Sequence, residues 1–179
     1  ILMSYFSKFP KLVYDIKGNG NDALFTHILK RVKLHSAASA NTKVFDYYQV
    51  VEGEKPEDIA HKYYGDANYH WVILLVNDIT DRYHQWPMTV PQFEQFVADK
   101  YSNPNGLHHY EISQDSGEST TKINIGQDNT GHPTADSISN YQYEEAQQLL
   151  YSQIRLLKSE FLIQFVEEFE DLVNEDTEI

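Results

Sequence analysis

"YYGDANYHWVILLVND", residues 63–78, sets paired tyrosines and a Gly-Asp turn directly before an apolar run. Gly65 can take the left-handed conformation that ends one helix, and Asp66 can cap the start of the next. The stretch therefore predicts helix, tight turn, helix, with Tyr64, Trp71, Leu74 and Leu75 buried under a covering surface.

The preceding residues supply that surface. Residues 45–51 are aromatic and β-branched and read as a strand, which Gly53 ends. Pro56 suits the first turn of a helix, where Glu57 and Asp58 complement the dipole. Ile59, Ala60, Tyr63 and Tyr64 then form one apolar face, and a second helix over 67–76 stops near Asn77 and Asp78. A returning strand is expected at 88–90, closing a small α+β unit.

Working outward, residues 11–16 read as a strand ending in a Gly-Asn turn, and Leu24, Phe25, Ile28, Leu29 and Val32 recur at helical spacing in the segment that follows. The phrase "DIKGNGNDALFT" begins like a calcium loop, but Lys17 and Thr26 stand at the third and twelfth positions, where oxygen ligands are required. It reads as a plain turn. Residues 36–43 form a linker. Phe93, Phe96, Val97 and Tyr101 mark a further helix, "HHYEIS" and "TKINIG" a hairpin, and 126–140 an irregular polar loop. From 143 to 174 apolar residues recur every three or four positions without Gly or Pro, which predicts one helix about 48 Å long at 1.5 Å per residue.

These readings divide the 179 residues into a strand-helix arm (1–43), the central module (44–101), a β-hairpin and polar loop (102–142) and an amphipathic helix with an acidic tail (143–179). The expected class is α+β. Ile154, Leu157, Phe161, Phe165, Phe169 and Leu172 line the apolar stripe of the last helix, which is too long for the module alone and so is expected to meet another molecule, the N-terminal helix of its own chain, or both.

Composition narrows the function. There is no cysteine, which fits a reducing compartment and excludes thiolate metal sites and disulfides. No run approaches the roughly 18 apolar residues of a membrane span, and the start lacks the apolar stretch of a signal peptide, so a soluble, non-exported protein is expected. Met3 followed by Ser4 would be a natural translational start. A net charge of -13 argues against nucleic-acid binding. The charge is polarised, with residues 1–43 carrying about +5 and the rest about -18. Lys30, Arg31 and Lys33 are thus candidates for an electrostatic contact with acidic surface, such as Glu167, Glu168, Glu170 and Asp171, on a neighbouring molecule, the plainer alternative being two solvated faces.

No catalytic constellation is visible: there is no G-x-S-x-G, H-E-x-x-H, Walker A or G-x-G-x-x-G pattern. His108 and His109 are adjacent, so on a regular strand they would point to opposite faces and share no metal. His70 and His84 could converge near the aromatic cluster, though hydrogen-bonded structural roles suit them better. Neither an enzyme nor a cofactor is expected.

Tyr48, Val50, Gly53, Ile59, Ala60, Tyr64, Gly65, Trp71 and Asn77 stand where a LysM module, a βααβ fold, carries its motif residues. Lys55 and Pro56 replace the customary Thr-Leu, and one extra residue precedes the Tyr64-Gly65 pair. With the hairpin around "EISQDSGESTTKI" and the terminal "IRLLKSEFLIQFVEEFEDLV", most of the chain, about 5–174, resembles the family of wedge protein fifty-three from the tail baseplates of T-even-type bacteriophages. The resemblance implies a virion protein assembled in the host cytoplasm. It would be present in several copies per ring, joining neighbouring wedges and contacting a helical core bundle of other wedge proteins.

The competing reading is a peptidoglycan- or chitin-binding LysM protein. Its loops at 53–56 and 77–80 would line a sugar groove, with Tyr69, Trp71, Tyr83 and Trp86 available for stacking.

Overall fold

The computed structural model describes residues 5–30, 32, 42–114 and 121–175. The fold is α+β. In chain order come β1 (Lys11–Tyr14), β2 (Ala23–Thr26), β3 (Phe45–Gln49), α1 (Pro56–Tyr64), α2 (His70–Val76) and α3 (Val90–Lys100). There follow β4 (Leu107–Ser113), β5 (Lys122–Gly126), β6 (Asp136–Ser139), α4 (Asn140–Ser152), β7 (Gln153–Leu157) and α5 (Leu162–Asn174). Two compact units result: unit 1 draws on 1–49, 54–85 and 154–179, and unit 2 on 50–53 and 86–153.

The helical pair forms as its sequence demands. Asp58 accepts the backbone N–H of Lys55 at the start of α1, 3.1 Å away. Gly65 ends that helix at φ 80°, a conformation that costs glycine little. Asp66 caps the following turn by accepting the Asn68 N–H at 2.9 Å. Pro56, Ile59, Ala60, Val72, Ile73 and Val76 are fully covered and Trp71 is buried, while Tyr64, Leu74 and Leu75 are half-buried.

The strand that pairs with β3 is β7, not residues 88–90, where Val90 already opens α3. The expected 143–174 helix is accordingly two helices of 13 residues, each about 20 Å long, with β7 between them. Two contacts, one local and one distant in sequence, oppose continuous helix. The Ser152 hydroxyl donates back to the Leu149 carbonyl at 2.7 Å, and the Asn77 side chain holds Arg155 in extended form. Asn77 Nδ2 donates to the Arg155 carbonyl and Asn77 Oδ1 accepts the Arg155 N–H, both at 2.8 Å. Tertiary pairing thus overrides a helical apolar period.

The N-terminal segment also departs from expectation. Residues 23–26, expected in a helix, form β2 and pair antiparallel with β1, Leu12 opposite Phe25 and Val13 opposite Leu24. The calcium-like turn organises this hairpin: Asp15 accepts the N–H groups of Lys17 at 3.0 Å and Gly20 at 2.7 Å, with Gly18 and Gly20 at positive φ. A carboxylate bonded to its own backbone does the work that the calcium reading would give to a cation.

In unit 2 the antiparallel sheet has the order β5-β4-β6. Strand β6 falls in the stretch expected to be an irregular loop, and the turn of the expected hairpin, 115–120, lies outside the described residues. Ser139 and Gln142 cap α4 reciprocally, at 2.9 and 3.2 Å. Phe93 and Val97 of α3 are buried, and Phe93 meets Tyr141 edge-on at 5.3 Å.

Asn77→Ala should lower the stability of unit 1 by about 2 kcal/mol, because it strips the partner from both backbone groups of Arg155. Chemical denaturation should show an earlier midpoint with an unchanged slope.

Candidate functional site

Trp71 is the centre of unit 1. Its ring lies 4.5 Å from Phe169, 5.5 Å from Tyr5 and 6.3 Å from Phe165 between centroids. Helix α5 reaches it because Leu162, Phe165, Val166, Phe169 and Val173 share one stripe. Of the six residues expected to face a partner, Ile154, Leu157 and Phe169 are buried in unit 1, and Phe161 and Phe165 pack against its core. Only Leu172 is exposed, at 54%. Most of the stripe thus lies against the core of unit 1, the intramolecular one of its two expected settings.

The polarised charge also meets itself inside the chain. Lys8 pairs with Glu170, and Lys30 Nζ donates to the backbone carbonyl of Val173 at 2.8 Å and to that of Glu175. A cation at the carbonyl end of α5 complements the helix dipole and satisfies carbonyls that have no helical partner. Lys30 is thus engaged within its own unit; Arg31 and Lys33 lie outside the described residues.

The LysM-type positions have structural duties. Ile59 and Ala60 are fully buried, Gly53 has φ 78°, and the buried Val50 donates to the Ser152 carbonyl at 2.8 Å. The Tyr64 hydroxyl donates to the Leu157 carbonyl at 3.0 Å, and burial pushes its pKa up. The Tyr48 hydroxyl is shared between the two oxygens of Glu54, each 2.9 Å away, and accepts from Lys62. Tyr63 donates to Asp46 at 2.5 Å, and burial, then that bond and the Asp46 charge, push its pKa up to about 12.

A sugar groove finds little here. Trp71 is core in unit 1, Trp86 is buried in unit 2, and Asn77 is committed to backbone; of the four aromatics Tyr83 alone is largely exposed, at 85%. His70 bonds to the Ala67 carbonyl at 3.0 Å and His84 to Asp81 at 2.5 Å, so each has its own local partner. Among the described residues no group of three or more His, Cys, Asp or Glu could hold a metal, and no helix is long and apolar enough to cross a membrane.

The surface that sequence reasoning missed is the β1–β2 hairpin. Register places Leu12, Phe25 and Tyr14 on one face, and Val13 and Leu24 on the other. Both faces are open: Val13 is 65% and Leu24 60% exposed, and beyond the strand Ile28 and Leu29 are exposed as well. A helical reading of residues 24–32 hides this, because it gathers the same residues onto a single buried stripe.

The family model described as "Base plate wedge protein 53" matches residues 1–177. The chain belongs to this family. A curated relative, "Baseplate wedge protein gp53" of Enterobacteria phage T4, is 26% identical over 107 residues, covering 59% of this chain and 54% of the relative. The chain thus aligns with about half the length of that relative.

The core assignment of α5 has its own consequence. Phe169→Asp should abolish the cooperative unfolding transition of unit 1, since it deletes a buried ring worth about 3 to 5 kcal/mol and buries a carboxylate. Leu172→Asp, on the exposed side of the same helix, should change stability by less than about 0.5 kcal/mol. Thermal denaturation of the two variants side by side is the check.

Proposed function

We propose that this chain is a structural subunit of a bacteriophage tail baseplate wedge, that it joins neighbouring wedges during assembly, and that it performs no catalysis. The observation that carries the reading is the hairpin of two four-residue strands with apolar residues open on both faces. An isolated two-stranded hairpin is marginal in water, and contiguous apolar surface on a soluble protein marks a contact site. Family membership supports a baseplate setting; on our reading the partners are other wedge proteins, including a helical core bundle, and adjacent wedges. On this reading several copies sit in the ring of the virion baseplate, having assembled in the host cytoplasm.

Within that reading, β3, α1, α2 and β7 form the LysM-like βααβ module, interrupted between α2 and β7 by most of unit 2. The module serves as a scaffold, because its motif residues are occupied with backbone and core. Sugar binding is the weaker alternative, since two of its four candidate aromatics are buried.

The test is a Val13→Lys, Leu24→Glu double variant, which removes the apolar surface while setting opposite charges at a facing pair of positions. It should retain the melting temperature of the parent chain, because both positions are exposed, yet fail to enter complexes reconstituted from the other wedge proteins, as read by analytical ultracentrifugation. Unimpaired incorporation would remove the hairpin from the interface. Saturable binding of chitooligosaccharides by calorimetry would instead favour the sugar-binding reading.

A further inference from the structure

Unit 2 contains a coupled imidazole pair that the assembly reading leaves unused. Between Leu107 and His109 the register of β4 against β6 shifts, leaving His108 as the extra residue of a bulge. The two rings, expected on opposite faces, are brought together: His108 Nδ1 lies 2.7 Å from His109 Nδ1. His109 is 4% exposed, and its Nε2 lies 3.0 Å from Glu111 Oε1. Tyr143 of α4 covers the pair, stacked on His108 at 3.9 Å and edge-on to His109 at 6.0 Å.

Counting protons on these contacts shows what the pair can hold. With both rings neutral, His109 Nε2–H donates to Glu111, and His108 Nδ1–H donates to the lone pair on His109 Nδ1. One further proton fits on His108 Nε2 without disturbing either bond. Another must go to His109 Nδ1, where it would face the N–H of His108, donor against donor. A nitrogen separation of 2.7 Å does not survive that.

We propose that His108 and His109 form a latch that keeps α4 seated on β4 while the pair carries at most one proton beyond neutrality, and that releases this contact when a second is added.

The surroundings bear on both protonation steps. From α4, Tyr143 and the buried Glu144 face the pair; from the end of α3 come Lys100 and Tyr101, bonded to Glu144 at 2.7 and 2.6 Å. On the sheet side, Glu111 has Asp136 of β6 and Asn124 of β5 as neighbours, with Lys122 bonded to Asp136 at 2.6 Å. Burial pushes the His108 pKa down, the neighbouring His109 and Lys100 add to this, and Glu144 opposes it. A histidine depressed in the fold gives stability that is complete above its unfolded value of 6.5 and is lost as the pH falls below it. Each proton taken up only on opening changes the opening equilibrium about tenfold per pH unit.

Hydrogen exchange of the full chain, corrected for intrinsic rates, tests this between about pH 7.5 and about pH 5.5, where histidine changes charge. Amides of β4 and α4 should open about tenfold more at the lower pH, while those of α5 in unit 1 should not change. His108→Gln should abolish the difference. Long-range proton–nitrogen spectra of the unsubstituted chain provide a second readout, with one ring of the pair remaining neutral wherever β4 stays protected. Two cationic rings in a protected β4, or equal acid loosening of α5, would overturn the proposal.

Discussion

The side chain of Asn77 acts as a peptide group out of place. Its oxygen takes the Arg155 N–H and its nitrogen gives to the Arg155 carbonyl, so the end of α2 grips β7 as a neighbouring strand would. The Arg155 guanidinium returns the contact, donating to the Val76 carbonyl at 2.9 Å. This clamp sets the register of β7, and the register determines which residues turn inward. A slip of one position would carry buried Ile154 and Leu156 to the opposite face. It would also shift the start of α5, and with it Phe165 and Phe169 over Trp71. The aromatic core therefore depends on an amide that contributes almost no apolar area of its own.

Charge follows the same logic of internal closure. The chain carries -13 overall with a basic start, a polarity that suggests contact between molecules. In unit 1 the two ends instead meet on α5, through Lys8 with Glu170 and Lys30 with the last carbonyls. Lys8 also lies 5.9 Å from the centre of the Trp71 ring, so its stem and charge both lie against the core. Among the described residues, the large side chains exposed on and around the hairpin include Leu12, Val13, Tyr14, Leu24, Ile28 and Leu29. Contacts made there would depend less on salt than contacts made by exposed ion pairs.

Much of unit 1 was legible because its signals are local. Gly65, Asp66, Pro56 and Asp58 specify the helical pair through caps and turn geometry, each over four residues or fewer. The strand at 45–49 was legible for the same reason. One error falls where the deciding partner is distant in sequence. Residues 153–157 have a good helical period, and only pairing with β3, about a hundred positions earlier, makes them a strand. Residues 24–32 present the same ambiguity, because Leu24, Phe25, Ile28 and Leu29 fit a helical face as well as a ribbon. The bulge that joins His108 to His109 leaves no mark in composition at all. The last helix turns most of its stripe inward in consequence, since two short helices on either side of β7 fit a small unit where one long helix would not.

Closing β3 with β7 also imposes an order of events on a chain made from its N-terminus. Residues 86–153 are contiguous and carry almost all of unit 2, so they can collapse as soon as they leave the ribosome. Unit 1 cannot, because α1 and α2 lack β7 and α5 until the final stretch emerges, and Trp71 meanwhile has no Phe169 against it. At roughly 5 to 20 residues per second, the wait from Trp71 to Phe169 is on the order of 5 to 20 s. During that interval the nascent N-terminal half presents bare aromatic surface. A protein built this way is exposed to chaperones and to mispairing first at the half that is synthesised first, and completes that half last.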